Sequence, residues 1–214
     1  VRGRYEFADQ AGRNESNAYT TRTRLGLETA AVNDFTALLE MEDIRSLGST
    51  SDYNPYPQAG RTVIADPKGT ELNRLQLRYK NDGNQAIIGR QRIILDRARF
   101  VGNVGWRQNE QTYDAITLQN STLDNWTFFY GYIDTVQRIF GDDAPAPTLQ
   151  EYQSNSHLIN LGFSGIPQVK VTAYGYLLDL ENSASNSSRT LGLSAQGSQK
   201  VNEDIKLVYT AEYA

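Results

Sequence analysis

The sequence predicts an all-β protein, an antiparallel up-and-down transmembrane β-barrel or an incomplete segment of one, with about eleven strands. Apolar and polar residues alternate with period two along repeated stretches of roughly ten residues, the length of a tilted β-strand that crosses a bilayer. Short turns alternate strictly with long polar loops along the chain, as short periplasmic turns and long outer loops do in such barrels. No stretch shows the 3.6-residue period of an amphipathic helix.

The clearest alternation lies in the predicted hairpin over residues 20–42. Leu, Phe and Met side chains occupy one face of both strands, and charged side chains occupy the other. The charged positions are Arg22, Arg24, Glu28, Glu40 and Glu42. The charged face either meets bulk water on a soluble sheet, or faces an enclosed aqueous lumen while the apolar face meets lipid.

The rest of the chain favours the membrane barrel. Further strands are predicted at 1–7, 70–79, 85–93, 112–119, 126–134, 156–163, 169–178, 189–197 and 205–214. Asp82-Gly83 supplies the positive φ of a tight hairpin turn. Long loops are predicted at 43–69, 94–111 and 138–155, with a Ser/Asn loop at 181–188. A soluble sandwich or lipocalin-type barrel also alternates in face, but nothing forces its long loops to one end.

Composition excludes several classes of protein. The mean hydropathy is −0.56 and no run of about 18 apolar residues exists, which excludes helical membrane spans but not a β-barrel. Cysteine is absent, so disulfides and thiol chemistry are excluded. The net charge of −4 argues against a nucleic-acid partner. Sixteen of the 21 basic residues are arginine.

These arginines indicate which face is lumenal. An arginine on the lipid face costs roughly 2–4 kcal/mol near the bilayer midplane. The combined cost of six such arginines would exceed the free energy of unfolding of a typical domain, about 5–15 kcal/mol. The predicted pore-lining residues are Arg22, Arg24, Glu28, Glu40, Glu42, Arg74, Arg78, Arg90 and Arg92. Two interpretations of this set stay open: the arginines attract anionic solutes, or they pair with the glutamates and keep the lumen solvated.

Aromatic residues near the predicted strand ends have two interpretations as well. Tyr5, Trp126, Tyr130, Tyr132 and Tyr213 favour an interfacial aromatic girdle, and the core of an ordinary sheet is the alternative.

Signals for an enzyme are weak. The one histidine, His157, follows Ser156 in a predicted strand, so the two side chains point to opposite faces and cannot act as a hydrolase pair. The acidic pairs, such as Asp142-Asp143, lack the spacing of a calcium loop. We therefore predict no catalytic residue, no metal site and no cofactor.

Several segments resemble the bacterial alginate-export-type outer-membrane porins. They are RYEF, TRTRLGLET, FTALLEMEDIR, ADPKGTELNRLQLRY, IIGRQRIILDRARFVGNVGWRQNEQTYDAITL, YLLDLENSASNSSRTLGL and VYTAEYA. The resemblance implies a monomeric barrel in the Gram-negative outer membrane, with the lipid bilayer as partner. Such a porin passes polar or anionic small solutes, or an anionic polysaccharide such as alginate. It also implies a long loop that partly occludes a positive lumen, for which 96–111 is the candidate, with Arg97, Arg99 and Arg107 as constriction residues.

The predicted strand number is odd, whereas single-chain bacterial barrels have an even number. We therefore expect residues 1–214 to form one barrel domain that is the N-terminal part of a longer barrel.

The alternative function is a soluble or surface β-domain that binds carbohydrate through its long loops.

Overall fold

The computed structural model describes residues 1–49, 52–58 and 60–214. Eleven strands form one antiparallel sheet in which every strand pairs with its neighbours in chain order, which confirms the up-and-down all-β prediction. The strands are β1 Arg2–Ala8, β2 Ser16–Glu28, β3 Phe35–Ser46, β4 Gly69–Asn81, β5 Asn84–Gln91, β6 Thr112–Asn120, β7 Trp126–Gln137, β8 Glu151–Ile166, β9 Val169–Leu178, β10 Ser188–Lys200 and β11 Lys206–Tyr213. A single helical turn, α1 Pro147–Gln150, precedes β8.

The connections differ in length at the two ends of the sheet. At one end, the short-turn end, they are residues 29–34, 82–83, 121–125, 167–168 and 201–205. At the other, the long-loop end, they are residues 9–15, 47–68, 92–111, 138–150 and 179–187. Asp82 and Gly83 have φ of 41° and 82°, the geometry predicted for the tight turn between β4 and β5. The predicted alternation of short and long connections is therefore correct.

Strand boundaries at the long-loop end were predicted wrongly, because β2 begins at Ser16 instead of residue 20 and β7 ends at Gln137 instead of residue 134, and β3 and β8 differ as well. β3 continues to Ser46 instead of ending at residue 42, because its last residues still pair with β2. β8 begins at Glu151 instead of residue 156, where it pairs with Gln137 of β7. Both missed segments are polar, and backbone pairing at the end of a sheet does not depend on an apolar face.

The boundary of β5 was also placed too late. The strand ends at Gln91, so Arg92 and Ile93 belong to the following connection instead of the predicted strand 85–93. We call this connection, residues 92–111, the inner loop.

The two faces of the sheet differ in chemistry. One face, the outer face, exposes large apolar side chains that neighbour one another across strands, as Leu25 does Met41 and Leu77 does Ile88. Its exposed residues include Leu25, Leu27, Leu39, Met41, Leu75, Leu77, Ile88, Ile116, Leu118, Ile159, Leu161, Leu191 and Leu193. The opposite face, the inner face, carries the charged side chains and is covered in part by loops.

The buried core lies on the inner face, beneath those loops. The main cluster consists of Ile93, Val101, Tyr113, Ala115, Ile133, Val136, Leu158, Tyr174, Tyr176 and Leu180. It packs side chains of β6 to β9 against the first half of the inner loop. A smaller cluster joins Ala18 of β2 to Tyr53 and Ile64 of loop 47–68. The apolar side chains of the loops therefore hold them against the sheet.

The aromatic residues form pairs along the sheet. Tyr5 stacks on Tyr19 at 4.6 Å between ring centroids. Tyr130 and Tyr132 lie against the ring of His157, at 6.1 and 5.4 Å. In the same way Trp126 packs against Phe163, whereas Tyr213 is exposed. Whether these residues form a girdle at the membrane interface stays a prediction.

No helix in the described ranges is long and apolar enough to cross a membrane.

We expect Gly89→Ala to destabilise the sheet. Gly89 has φ of 113°, and a Cβ there lies within clashing distance of the Leu75 carbonyl oxygen on the neighbouring strand. A strained backbone of this kind costs roughly 1–3 kcal/mol in a non-glycine residue, before the clash is counted. The measurement is the urea midpoint of the full-length protein in detergent micelles.

The control is Gly3→Ala, because a Cβ at Gly3 meets no atom within 4 Å and its backbone needs no positive φ. Equal midpoints for the two variants would contradict the proposed strain at Gly89.

Candidate functional site

The inner loop lies across the inner face of the sheet instead of projecting beyond the strand ends. Its first half contacts β8, β9 and β11, and its second half contacts β1, β2 and β4. In the first half, the Asp96 carboxylate accepts hydrogen bonds from the Asn160 amide of β8. In the second half, the Glu110 carboxylate accepts a hydrogen bond from the Asn73 amide of β4. The loop therefore spans most of the charged face.

An unusual backbone turn begins the loop. Asp96, Arg97 and Ala98 have φ of 46°, 64° and 60°, three successive residues in the left-handed region that non-glycine residues rarely adopt. The Asp96 carboxylate fixes this turn by accepting from the Asn160 amide at 3.0 and 3.1 Å and from the Tyr176 hydroxyl. The sheet thus stabilises a conformation that the sequence disfavours locally.

The tip of the loop is held by two arginines of β1. The Arg2 guanidinium donates to the carbonyl oxygens of Gly105, Trp106 and Arg107 at 2.8 to 3.2 Å. The Arg4 guanidinium donates to the Trp106 carbonyl at 2.9 Å and lies 4.6 Å from the centroid of the Trp106 ring. Arginine suits this role because its donors are fixed in a planar fork.

A buried carboxylate, Asp66, connects the inner loop to loop 47–68. Asp66 is fully buried and accepts from the Arg4 guanidinium at 2.9 Å and from the backbone N–H of Gln108 at 2.8 Å. The Gln108 amide in turn donates to the Thr20 hydroxyl at 2.9 Å. The two loops and the first two strands therefore form one connected polar network.

The centre of the charged face is Glu110, at the end of the inner loop. Its side chain is only 2% exposed. One carboxylate oxygen accepts from Arg92 at 2.6 Å and Asn73 at 2.9 Å, and it lies 3.1 Å from Arg24. The other oxygen accepts from Asn103 at 2.7 Å. Both oxygens are therefore satisfied, which a buried carboxylate requires.

Glu40 and Glu42 of β3 extend this cluster along the sheet. Glu40 accepts from the two arms of the Arg74 guanidinium at 2.9 and 3.0 Å and lies 3.4 Å from Arg92. Glu42 pairs with Arg24 and lies 3.7 Å from Arg22. The arginines and glutamates predicted on one face of the hairpin therefore do lie together.

Two further pairs complete the set. Arg90 makes a bidentate pair with Asp114 of β6 at 2.8 and 2.9 Å, and Arg78 pairs with the more exposed Glu28 at 2.7 Å. Each of the six arginines predicted to line the pore thus lies in an ion pair with a carboxylate. Of the two interpretations left open by the sequence, mutual pairing is the one found for these six. Their lumenal position stays a prediction.

The three arginines predicted in the constricting segment are placed differently from one another. Arg107 pairs with Glu6 of β1 at 3.0 Å, and Arg99 pairs with Glu212 of β11 at 2.8 Å. Arg97 makes no ion pair within the part of the chain that the structure describes.

The sequence does not single out Glu110, Asp66, Asp114 or Glu71, although all four are bonded within the network. Glu71 accepts from the Asn109 amide at 3.1 Å. One signal exists: the predicted lining set holds six arginines but only three glutamates. Since buried charges require partners, further carboxylates were to be expected on neighbouring elements. Their positions could not be read from the pattern.

No group of three or more His, Asp or Glu side chains suited to a metal ion occurs among the residues described.

Two opposing effects set the pKa of Glu110. Burial raises the pKa of its carboxyl, whereas the hydrogen bonds from Arg92 and Asn73 and the nearby Arg24 charge lower it, and the pKa lies below its ordinary value. The ionised carboxylate is therefore the stable form at neutral pH.

Replacing this carboxylate should release the inner loop. We expect Glu110→Gln to cost about 1.5–3 kcal/mol of loop docking, the range for hydrogen bonds to charged groups, because Arg24 and Arg92 lose their common partner. The measurement is the EPR mobility of a nitroxide on Val104→Cys, since residues 1–214 contain no other cysteine. Glu28→Gln is the control, since its exposed pair with Arg78 contributes about 0–1 kcal/mol and lies outside the loop. Unchanged label mobility in Glu110→Gln would contradict this role.

The same label should report acid release of the loop. The pKa of Glu110 is lower in the folded protein than in the unfolded chain, where it is about 4.3. The contribution of Glu110 to loop docking is therefore fully present above the unfolded pKa and is lost as the pH falls through the lower folded pKa. We expect the label to stay immobile from pH 7 to about pH 4.3 and to become mobile only below it. Release near neutral pH would contradict this assignment, and Glu110→Gln should abolish this acid transition.

Comparisons with known proteins agree with this architecture. A family described as alginate export matches residues 1–141 of the 214-residue chain. A search of curated proteins gives no match. Among solved structures, Acinetobacter baumannii OccAB3 is 12% identical, with a TM-score of 0.68 over 94% of this chain and 52% of that one. Pseudomonas aeruginosa OpdL is 12% identical, with a TM-score of 0.60 over 97% and 50%.

A third similar structure is P. aeruginosa OpdK with vanillate, at 11% identity and a TM-score of 0.52, over 94% of this chain and 62% of that one. The chain spans about half the length of OccAB3 and OpdL. The likeness shows the fold of the outer-membrane porin barrels and, with the family match, assigns the chain to the bacterial outer membrane. Since the match covers well over half of the sequence, the chain belongs to the alginate export family.

Proposed function

We propose that the protein containing this chain is a passive outer-membrane channel for polar or anionic solutes, with an anionic polysaccharide such as alginate as one candidate. The observation that carries this proposal is the contrast between the two faces of one sheet. The outer face is apolar and exposed, and the inner face is charged and partly covered by a loop.

The outer face argues against the alternative of a soluble carbohydrate-binding domain. Leu25, Leu27 and Leu191 are 78%, 71% and 82% exposed, and they belong to an apolar surface that runs along the sheet. Soluble proteins rarely expose continuous apolar patches larger than a few hundred Å². Contact with lipid accounts for this surface, since the apolar band of a membrane barrel faces the bilayer.

The inner loop supports a role in constricting the channel. It extends from β8, β9 and β11 to β1, β2 and β4, and ion pairs fix both halves on the inner face. A loop held in this way narrows the passage without closing it, because its covering of the face is partial. We propose Arg97, Arg99 and Arg107 as residues of this constriction. Its surroundings are then the nine predicted lining residues, eight on β2 to β5 together with Arg92.

The proposal includes no chemical step. His157 donates to or accepts from the Tyr130 hydroxyl through Nδ1 at 2.9 Å, while Ser156 bonds to Ser154 in the buried part of the inner face. This arrangement does not supply the base and nucleophile that a hydrolase needs on one face. A passive channel requires neither catalyst nor cofactor.

The comparisons support an anionic solute. The family is described as alginate export, and OpdK was solved with vanillate. Alginate and vanillate both carry carboxylates. Recognition of a carboxylate by arginine and lysine side chains is strong in a narrow, partly desolvated passage.

We propose further that residues 1–214 form one part of a single barrel domain. The sheet is open, so β1 and β11 each have one unpaired edge. An open edge is not stable in lipid, because unpaired backbone groups find no hydrogen-bond partner there. Additional strands between β11 and β1 would satisfy both edges, which agrees with the greater length of the similar porins.

Planar bilayer recordings test the channel. We expect the full-length protein to give discrete conductance steps, and we expect replacement of 97–107 by a short Gly-Ser linker to raise the step size several-fold, because the constriction is removed. Removal of 183–186 is the control, since this segment belongs to loop 179–187 at the same end of the sheet and bonds locally. Absence of conductance steps in the full-length protein would contradict the channel, and an unchanged step size would contradict the constriction.

A further inference from the structure

A shallow groove on the outer face follows β9 near the long-loop end of the sheet. Its volume is about 720 Å³. Gly175 forms its floor and lies in register between Ile159 of β8 and Leu191 of β10. Leu177 lines the groove nearer to the long loops. The missing side chain at Gly175 therefore creates a depression between two aliphatic walls.

The depression continues along the strand toward the short-turn end. The next outward residue of β9, Ala173, is also small and lies in register between Leu161 and Leu193, which are both exposed. The outward residues that follow are Val171 and Val169. The outward side of β9 is thus apolar over the ten residues of the strand, roughly 30 Å at about 3.3 Å per residue. A long, narrow and apolar track of this kind matches the shape of an acyl chain.

The groove becomes polar at the long-loop end. Arg189 of β10 and His157 of β8 both lie in register with Leu177, one on each side of β9, and both line the groove. Arg189 is exposed and forms no ion pair or hydrogen bond among the residues that the structure describes. A free positive charge therefore lies at one end of the apolar track.

The imidazole of His157 is held in place by two tyrosines of β7. Its Nδ1 lies 2.9 Å from the Tyr130 hydroxyl, and its ring lies 5.4 Å from the ring of Tyr132. When the Tyr130 hydroxyl donates to Nδ1, the ring proton is on Nε2, which then is a donor without a partner in the described ranges. Side chains with an apolar body and a polar tip are favoured where hydrocarbon meets the lipid headgroups.

A second arginine on the outer face shows that Arg189 is unusual. Arg45 of β3 also extends outward at the long-loop end, but it donates to both carboxylate oxygens of Asp43 at 2.6 and 3.0 Å. The carboxylates of Asp134 and Glu181 line a separate cleft nearer to the strand ends, and neither pairs with Arg189 in the described part of the chain. Arg189 is therefore available to an external anion, whereas Arg45 is neutralised.

The position of the groove indicates which anion it meets. The apolar face of an outer-membrane barrel contacts lipid, and the long loops lie outside the cell, so the long-loop end of the groove reaches the headgroups of the outer leaflet. The common anion at that depth is the phosphate of a membrane lipid. The planar fork of a guanidinium binds phosphate oxygens in pairs.

We propose that this groove binds a phosphorylated lipid of the outer leaflet, with one acyl chain along β9 and the phosphate held by Arg189 and Nε2 of His157. The site goes beyond the proposed channel function, since it depends on the position of the chain in the outer membrane and not on the passage of a solute. A bound acyl chain would also cover Leu191, which is 82% exposed.

Native mass spectrometry of the full-length protein in detergent micelles tests the site, because it counts bound lipid molecules. The probe is dipalmitoyl phosphatidic acid, and dipalmitoylglycerol offers the same chains without the phosphate. We expect one tightly bound phosphatidic acid, and we expect Arg189→Gln to weaken its binding roughly 3- to 10-fold and to leave dipalmitoylglycerol unaffected. Arg45→Gln is the matched control and should bind as the unmodified protein does.

A second variant tests the apolar part of the groove. Gly175→Val fills its floor, and the added Cβ lies 3.2 Å from Cδ2 of Leu191, an exposed side chain with room to move. We expect this variant to weaken the binding of both lipids. Gly3→Val on β1 is the control, since a Cβ there meets no atom within 4 Å. Circular dichroism checks that each variant is folded.

Several outcomes would overturn the proposal. Unchanged affinity in Arg189→Gln or in Gly175→Val excludes the groove as the site. An equal loss in Arg45→Gln shows a diffuse charge effect. Equal binding of dipalmitoylglycerol, or of glycerol 3-phosphate, shows that phosphate and chain are not recognised together. The measurement needs no ion flow, so lipid binding without bilayer conductance would reject the channel and retain the site, whereas conductance without lipid binding would do the reverse.

Discussion

The burial of Glu110 among Arg24, Arg92 and Asn73 is the interaction on which the inner face depends. Arg24 lies on β2 beneath the inner loop, whereas Arg92 begins the loop itself, and a buried guanidinium without a partner is costly. The loop brings the partner with it. Docking of the loop therefore adds Glu110 as a common partner of Arg24 and Arg92, which also pair with Glu42 and Glu40 of β3.

This coupling divides the inner face into two regions with different electrostatics. Between β1 and β6 the cations meet Glu6, Glu40, Glu42, Glu110 and Asp114, and the pairs leave little free charge. Between β8 and β11 the loop supplies Arg97 while the strands supply Lys170 and Lys206, and none of the three forms an ion pair among the residues that the structure describes. The first region holds the inner loop on the sheet, whereas the second keeps these cations without a described counter-charge.

The sequence predicts the fold well because the relevant information is local. The period-two pattern of residues 20–42 and the Asp82-Gly83 turn determine face and connection over a few residues. The strand ends at Ser46 and Glu151 were missed since polar residues pair there without an apolar face. The carboxylates of Glu110 and Asp66 could not be located in advance, because their partners Asn73 and Arg4 lie 37 and 62 residues away and depend on how the loops fold back.

Counting arginines is therefore a poor guide to the net charge of the predicted lumen. The nine residues predicted to line it carry an excess of three positive charges, and the excess falls to one when Glu110 and Asp114 are included. An ion pair in a partly desolvated site presents a dipole to a passing solute, and its field decays faster than that of a free charge. Five lysines are a small minority of the basic residues, yet two of them, Lys170 of β9 and Lys206 of β11, form no ion pair in the described ranges. The free positive charge of the inner face then depends on which cations lack a partner, and that is a property of the folded loops.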